Sequence, residues 1–378
     1  MPPMRRDRRA GPIFGSMPKT DILQALDAYD AWLGRHCAVI PAALARKRQR
    51  MAADPFAFLR GTAFRFAAQF AALLPKLAAA RRVPSCGDAH LENFGTWRDA
   101  EGRLVWGVND LDEAAALPFT ADLVRLAASA LLARPPDGPG GREIAASLLR
   151  GYAAHLAAPR AFVLDEEHAA LRAMVLPDPP ARAAFWAKLA GLPAAEPPPA
   201  WRQALVAALP PGADPPRFAA REAGLGSLGR PRLVAIAHWR GGQVVREGKA
   251  RVPSAWLQAG FPGAEAIDVA ALANSLNRAA DPWYALPPGL VIRRLAPDSR
   301  KLEAPGGDPG RLLTQLEAMG GEIGNLHADG AAGAGILGDL EQMPADWLRD
   351  AARCMAEAVR ADQAALAAAL PAAQRSIS

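Results

Sequence analysis

Residues Val83–Gly95 read VPSCGDAHLENFG. A short apolar entry gives way to a Gly-Asp step, a His, a Glu and an Asn before apolar residues return. Gly87 and Ala89 flank Asp88, and such small neighbours permit an unusual loop backbone. One reading makes this a polar loop at a strand end, with Asp88 as a turn residue. The other makes Asp88 a carboxylate that orients or deprotonates an attacking hydroxyl, and Asn93 an oxygen ligand for a hard cation. The downstream residues bear on the choice. RLVWGVNDLDEA is an apolar strand ending at Asn109-Asp110, and PFTADLVRLAASALLA is an amphipathic helix opening near Asp122. A carboxylate and an Asn in one loop, with a further Asp at a strand end, suit phosphoryl transfer, where positioning and charge neutralisation do most of the work.

These pieces resemble known ones. CGDAHLENFG is similar to the HGDxHxxN loop of the aminoglycoside phosphotransferases and related kinase-like enzymes, with Cys86 where those have His. GVNDLDEA resembles the strand end that supplies their metal Asp, and ADLVRLAAS the helix start whose Asp braces the catalytic loop. The resemblance implies ATP and Mg2+ as cofactors. It implies Asp88 as the catalytic base, Asn93 with Asp110 or Asp112 as metal ligands, and Asp122 as the brace. Asp110 is preferred to Asp112 for its spacing to Asp122.

A kinase-like enzyme also needs a nucleotide lobe, and only helical sequence precedes Asp88. The missing parts lie downstream. GLGSLGRPR places Gly224, Gly226 and Gly229 before a strand, where backbone amides can cover phosphates; such glycines also make ordinary turns. Lys249 sits on the next strand, VVREGKARV, where a kinase places its phosphate-contacting Lys. Its helix Glu partner is sought at Glu265. GLVIRRL would enter a hinge, and IGNLHADG resembles the LxxLHA helix that precedes a phosphotransferase catalytic loop. The expected fold is therefore α+β: a two-lobed, protein-kinase-like fold, circularly permuted, mostly helical with a small antiparallel nucleotide-lobe sheet. The chain also resembles the bacterial family catalogued as domain of unknown function 2252. It does so through KRQRMAADPFAFLRG, CGDAHLENFG, NDLDEA, DLVRLAAS, GLGSLGRPR and RRLAPDSRKLE, over roughly residues 46 to 330. That family implies a kinase-like protein without naming a substrate. It would carry Lys-Glu-Ala where this chain has Lys-Ala-Arg after Gly248.

The rest of the chain sets bounds. Its 378 residues exceed one ordinary core, so two lobes are expected. The segments are a loose tail 1–16, helices 17–82, a catalytic-loop and helical lobe 83–215, a β-rich nucleotide lobe 216–296, and returning helices 297–378. The net charge of +6 suits an anionic ligand, but no basic run is interleaved with aromatics, so nucleic acid is not an expected partner. The expected partners are a nucleotide and a small-molecule acceptor. No membrane span is expected. Three scattered cysteines without CxxC fit the cytoplasm. The basic run Arg46–Arg50 reads as a solvated helix face. Arg60, inside an apolar helical run, is either an ion-pair partner or a substrate-anion contact. His90 either touches substrate or packs beneath the loop, and packing is preferred. Arg293 and Lys301 read as surface charge, and His327 as a packed helix His. Two other functions compete with the phosphotransferase. One is a pseudokinase or nucleotide-sensing module. The other is a two-metal phosphoesterase built on GDAH and GNLH, whose last motif Leu326 interrupts.

Overall fold

The computed structural model describes residues 21–165, 167–301, 308–328 and 332–370. The expected tail 1–16 lies outside them, as do the ends of the RRLAPDSRKLE and IGNLHADG motifs. The chain opens with helices α1 (Ile22–His36), α2 (Pro41–Ala53), α3 (Pro55–Gly61), α4 (Ala63–Leu73) and α5 (Pro75–Ala78). Their starts follow the sequence. Asp21 caps α1 by accepting from the Leu23 N–H, and Asp54 caps α3 from the Phe56 and Ala57 N–H groups. Proline occupies the first turn of α2 and α3. Helices α3 and α4 are separated at Thr62, whose backbone leaves the helical region and whose hydroxyl donates to the Phe58 carbonyl.

Next come β1 (Arg82–Ser85), β2 (Phe94–Arg98), β3 (Leu104–Val108) and β4 (Ala115–Pro118), then α6 (Phe119–Ala133), α7 (Gly141–Ala157) and β5 (Phe162–Val163). β1 pairs antiparallel with β4, and β2-β3-β5 form a second small sheet. Thus the loop after Ser85 and the loop after Val108 leave two adjacent ladders near one another. A third group follows: α8 (Ala169–Val175), α9 (Pro179–Ala190), α10 (Pro199–Ala207), β6 (Arg217–Ala220), β7 (Arg232–Trp239), β8 (Gly242–Ala250), α11 (Ala255–Gln258), α12 (Val269–Ala273) and β9 (Leu290–Leu295). The four strands form an antiparallel sheet in the order β6-β7-β8-β9. Helices α13 (Pro309–His327), α14 (Ala332–Glu341) and α15 (Trp347–Ala369) end the described chain.

The architecture is α+β with small antiparallel sheets, as the patterning predicts. The main core joins α1, α3, α4, α6, α7, α13 and α15 around Phe58, Phe66, Phe70, Leu123, Leu148, Ile323 and Met355. Two satellite cores flank the four-stranded sheet. Leu205 and Leu209, from α10 and just beyond it, pack on Phe218, Leu233 and Ala235. On the other side Leu189 of α9 packs on Ala219, Val234 and Val245. The Pro-rich stretch therefore packs with the sheet, although the sequence boundary at 215 grouped it with the helical lobe. Prolines at the helix starts set its punctuation, but only the sheet supplies a surface for its apolar residues.

Candidate active site

The Cys86–Asn93 loop is held from behind. Asp122, on the first turn of α6, accepts from the Cys86 N–H at 2.9 Å and the Gly87 N–H at 3.0 Å. Its Oδ2 also lies 3.3 Å from His327 Nε2, and His327 Nδ1 is 2.8 Å from the Tyr152 hydroxyl. Asp122 and His327 are fully buried, so each satisfies polar groups that water cannot reach. This is the bracing position expected for Asp122, and His327 is packed as expected. Gly87 has φ +74° and its carbonyl accepts from the Trp256 indole N–H at 2.7 Å. A Cβ there would collide with the Glu113 carbonyl. Gly87→Ala is therefore expected to destabilise the fold by about 3 kcal/mol, from left-handed strain plus overpacking; the urea midpoint measures it.

Asp88 emerges from this turn. Its Oδ1 accepts from Arg125 through Nε at 2.8 Å and through Nη2. Arg125 is fully buried on α6, also donates to the Leu59 carbonyl at 2.9 Å, and lies over the Phe66 ring. Oδ2 of Asp88 is left facing His90 Nε2 at 3.6 Å. His90 Nδ1 accepts from the Glu92 N–H at 3.1 Å, so its proton sits on Nε2. Burial, with Arg60, Arg125 and Lys301 nearby, holds His90 well below the usual imidazole range. His90 is thus a neutral packed group that also lines the cavity at Asp88.

Asn93 ties the two halves of the site together. Its amide N–H groups donate to the Asp88 and Asp110 carbonyls, both at 3.0 Å. Its Oδ1 is buried and has no hydrogen-bond partner. Asp88, Asn93, Asp110 and Asp112 line one small cavity with Gly224 and Gly226. A buried amide oxygen left without a donor, on a residue that lines the same cavity as Asp110, fits a hard cation. Asn93 and Asp110 are the residues that would hold Mg2+.

Lys249 reaches this cavity from β8. Its Nζ is 2.9 Å from Asp110 Oδ2 and 2.6 Å from Asp112 Oδ2. Burial works against ionisation of Asp110, but Lys249, Arg293 and Lys301 outweigh it and hold its carboxyl well below the usual carboxylate range. Asp112 also pairs with Arg230 at 3.2 Å and has an 8% exposed side chain against 27% for Asp110. Asp110 is thus the more open of the two carboxylates. Glu265 is not the partner of Lys249: its backbone bridges to Ala116, and the lysine's ion pairs among the described residues are with Asp110 and Asp112.

The Gly-rich loop folds over Asp88. Gly226 lies where a Cβ would meet the Arg60 carbonyl at 3.1 Å and Asp88 Oδ2 at 3.9 Å. The Gly226 carbonyl accepts from Lys47 Nζ at 2.9 Å. Gly224 has φ +72° and lines both the small cavity and a larger one of about 300 Å3 beside it. Gly229 differs: at φ +101° it packs on Leu44 of α2, away from both cavities. The basic run also departs from a solvated face. Lys47 is buried under Tyr29, and burial, with Arg230 nearby, pushes its ammonium down to about 8. Arg48 pairs with Asp27 and Asp30, and Arg46 with Glu222. Arg60 lines both cavities and pairs with Glu92 at 2.7 Å, so it is an ion-pair partner and also faces the cleft.

Sequence reading missed the charged wall of the larger cavity. Glu247, two residues before Lys249 on β8, binds Arg221, Arg232 and Arg293. Arg293, expected at the surface, is largely buried and lines the same cavity, and Lys301 lines it while staying exposed as expected. The alternation of Glu247 and Lys249 on one strand face was the available signal, since residues two apart share a face. The GNLH motif serves elsewhere: Asn325 holds the Arg160 backbone and His155, and His327 holds Asp122. Among the described residues no group of three or more His, Cys, Asp or Glu side chains is placed to hold a metal ion.

The fold and site thus define an α+β chain with a polar cleft, built from the Cys86–Asn93 loop, the Asp110–Asp112 turn and the four-stranded sheet. Residues 39–170 match the family model DUF2252, described as an uncharacterized protein conserved in bacteria. The match takes in the first four of the six resembling motifs, including the whole Cys86–Asp122 unit, and stops before the Gly-rich loop. No curated protein and no solved structure matches the chain.

Proposed function

We propose that the chain is a kinase-like phosphotransferase that moves the γ-phosphoryl group of ATP to a hydroxyl of a small-molecule acceptor, with Mg2+. The observation that carries this reading is Asn93, whose amide N–H groups hold the Asp88 and Asp110 backbones while its buried Oδ1 stays unpartnered. Asp88 Oδ2 would orient the acceptor hydroxyl. A strong base is not needed, because the transition state is loose and proton removal contributes little until late. Arg125 fixes the other oxygen and hence the direction of Oδ2. Lys249 would bind the phosphates it faces from β8, and the Gly224–Gly226 backbone would cover them. Mg2+ at Asn93 and Asp110 would neutralise the phosphate charge.

The same reading gives the fold as a permuted kinase-like arrangement. The sheet bearing Lys249 and the helix bearing His327 follow the catalytic loop in sequence, yet Lys249 reaches the Asp110–Asp112 turn beside that loop and His327 reaches Asp122 behind it. A cytoplasmic setting accords with free Cys37, Cys86 and Cys354. No helix among the described residues is long and apolar enough to cross a membrane. One observation favours the second reading, a nucleotide-binding pseudokinase: Arg125 occupies Asp88 Oδ1 with two N–H groups. The test is thermal denaturation with ATP and Mg2+ together. A rise in midpoint is expected for the wild type and loss of most of it in Lys249→Met. No shift in the wild type would sink both nucleotide readings.

A further inference from the structure

One face of the four-stranded sheet is divided into an apolar and a charged end. Cross-strand register places Ala219, Val234, Glu247 and Arg293 in one row, and Arg232, Lys249 and Val291 in the next. Alternation puts these rows on the same face, because they lie two residues apart along each strand. The apolar end, with Ala219, Val234, Ile236 and Val245, is already covered by Leu189, Phe185 and Trp186 of α9. That apolar surface is filled from within the chain, with Leu295 at its edge reaching the cavity described next.

The charged end faces the cavity of about 300 Å3, which Arg221, Arg232 and Arg293 line. The three guanidinium groups share one carboxylate, Glu247. Side-chain exposure is 1% for Glu247, 4% for Arg232, 16% for Arg293 and 21% for Arg221. Elsewhere in the wall, Asp110 is answered by Lys249, Glu92 by Arg60, and Arg278 by Glu322. Lys301 and Arg294, which also line it, form no ion pair among the described residues; Asp110 acts on Lys301 at longer range and Asp281 on Arg294. The wall therefore lines the cavity with more positive charge than its own carboxylates balance. Such an excess is costly unless a ligand brings the counter-charge. Phosphate does so, with oxygens that match the guanidinium fork.

We infer that Arg221, Arg232 and Arg293, locked in place by Glu247, form an anion cage for the phosphate chain of the ligand, and that the cleft recognises this chain rather than a base. The cage stands on the charge geometry alone; calling its ligand a phosphoryl donor rests on the function proposed above.

Isothermal titration of the full chain with Mg2+ and inorganic tripolyphosphate, ATP or adenosine tests it. Tripolyphosphate is expected to bind within about tenfold of ATP, and adenosine not at all. Arg221→Gln is expected to weaken both anions by about tenfold or more. That variant leaves Glu247 with two arginines, and an unchanged thermal midpoint checks its fold. Should it fail to fold, the wild type still decides: tripolyphosphate binding must weaken steeply as salt rises. Adenosine binding as well as ATP, absent tripolyphosphate binding, or an Arg221→Gln affinity equal to wild type would each overturn the cage. Tripolyphosphate binding without phosphoryl transfer to any acceptor keeps the cage and removes the phosphotransferase reading. ATP turnover without tripolyphosphate binding does the reverse.

Discussion

Asp88→Asn is expected to lower phosphoryl transfer by about a thousandfold while leaving Mg2+-dependent ATP affinity within a fewfold of wild type. A positioned acid or base contributes about 10²–10⁴-fold, and Asp88 is the carboxylate of the Cys86–Asn93 loop that faces the cavity shared with Asn93 and Asp110. The asparagine retains an oxygen for Arg125 but presents an N–H or an uncharged oxygen where the acceptor hydroxyl would lie. Binding is expected to persist because, on the proposed function, the phosphate contacts would come from Lys249 and the arginine wall, and the metal position from Asn93 and Asp110. The buried Arg125 loses its counter-charge, so some stability is lost as well. Assays must therefore run below the variant's own melting range. Single-turnover rates with radiolabelled ATP separate the transfer step from binding. Equal transfer by variant and wild type would remove Asp88 from the chemistry.

Glu247→Gln is expected to cost about 3 kcal/mol of stability, the cost of breaking a buried ion pair from one side. Glu247 is the shared counter-charge of three arginines, and the isosteric amide fills the same space without that charge. Burial works against ionisation of Glu247, but Arg232, Arg221 and Arg293 outweigh it and hold its carboxyl far below the usual 4.5. Its folded value lies below its unfolded value. The stability it contributes is therefore complete above about pH 5 and is lost as pH falls below that. Between pH 6 and pH 3 the wild type should lose stability that the variant has already lost, so the gap between their urea curves should narrow on acidification. A gap independent of pH would mean that Glu247 acts by packing alone. Tripolyphosphate is expected to stabilise the variant more than the wild type, since it supplies the missing negative charge.

Much of the site was legible in sequence because its parts are local. The Cys86–Asn93 loop, the strand ending at Asp110 and the helix opening near Asp122 are short-range features, written in small residues, apolar alternation and helical spacing. Asp122 holds the Cys86 and Gly87 N–H groups behind the loop, where the resemblance put it, whereas the donation of the Asn93 amide to the Asp88 and Asp110 carbonyls was not anticipated. Helix starts are local in the same way: Asp21 caps α1, and proline opens α2 and α3. The errors fell where a residue's neighbours are distant in sequence. Lys47 looked like one charge in a solvated run and is buried beneath the Gly-rich loop, while its neighbours found Asp27, Asp30 and Glu222. Gly229 looked equivalent to Gly224 and Gly226, but α2 approaches it and takes it out of the cleft. Glu265 looked like a lysine partner by analogy, yet the closer carboxylates across the cleft belong to Asp110 and Asp112.

The sequence by itself determined the elements, the order of the two β-rich segments and the chemical inventory of the catalytic loop. Those follow from backbone sterics, capping and periodicity, which act over a few residues. Only the tertiary structure decided which charges face one another. It carried Lys249 to Asp110, gathered Arg221, Arg232 and Arg293 on Glu247, and covered the sheet's apolar end with α9. Ion pairing and burial depend on distances between elements far apart in the chain, and no local pattern encodes those distances.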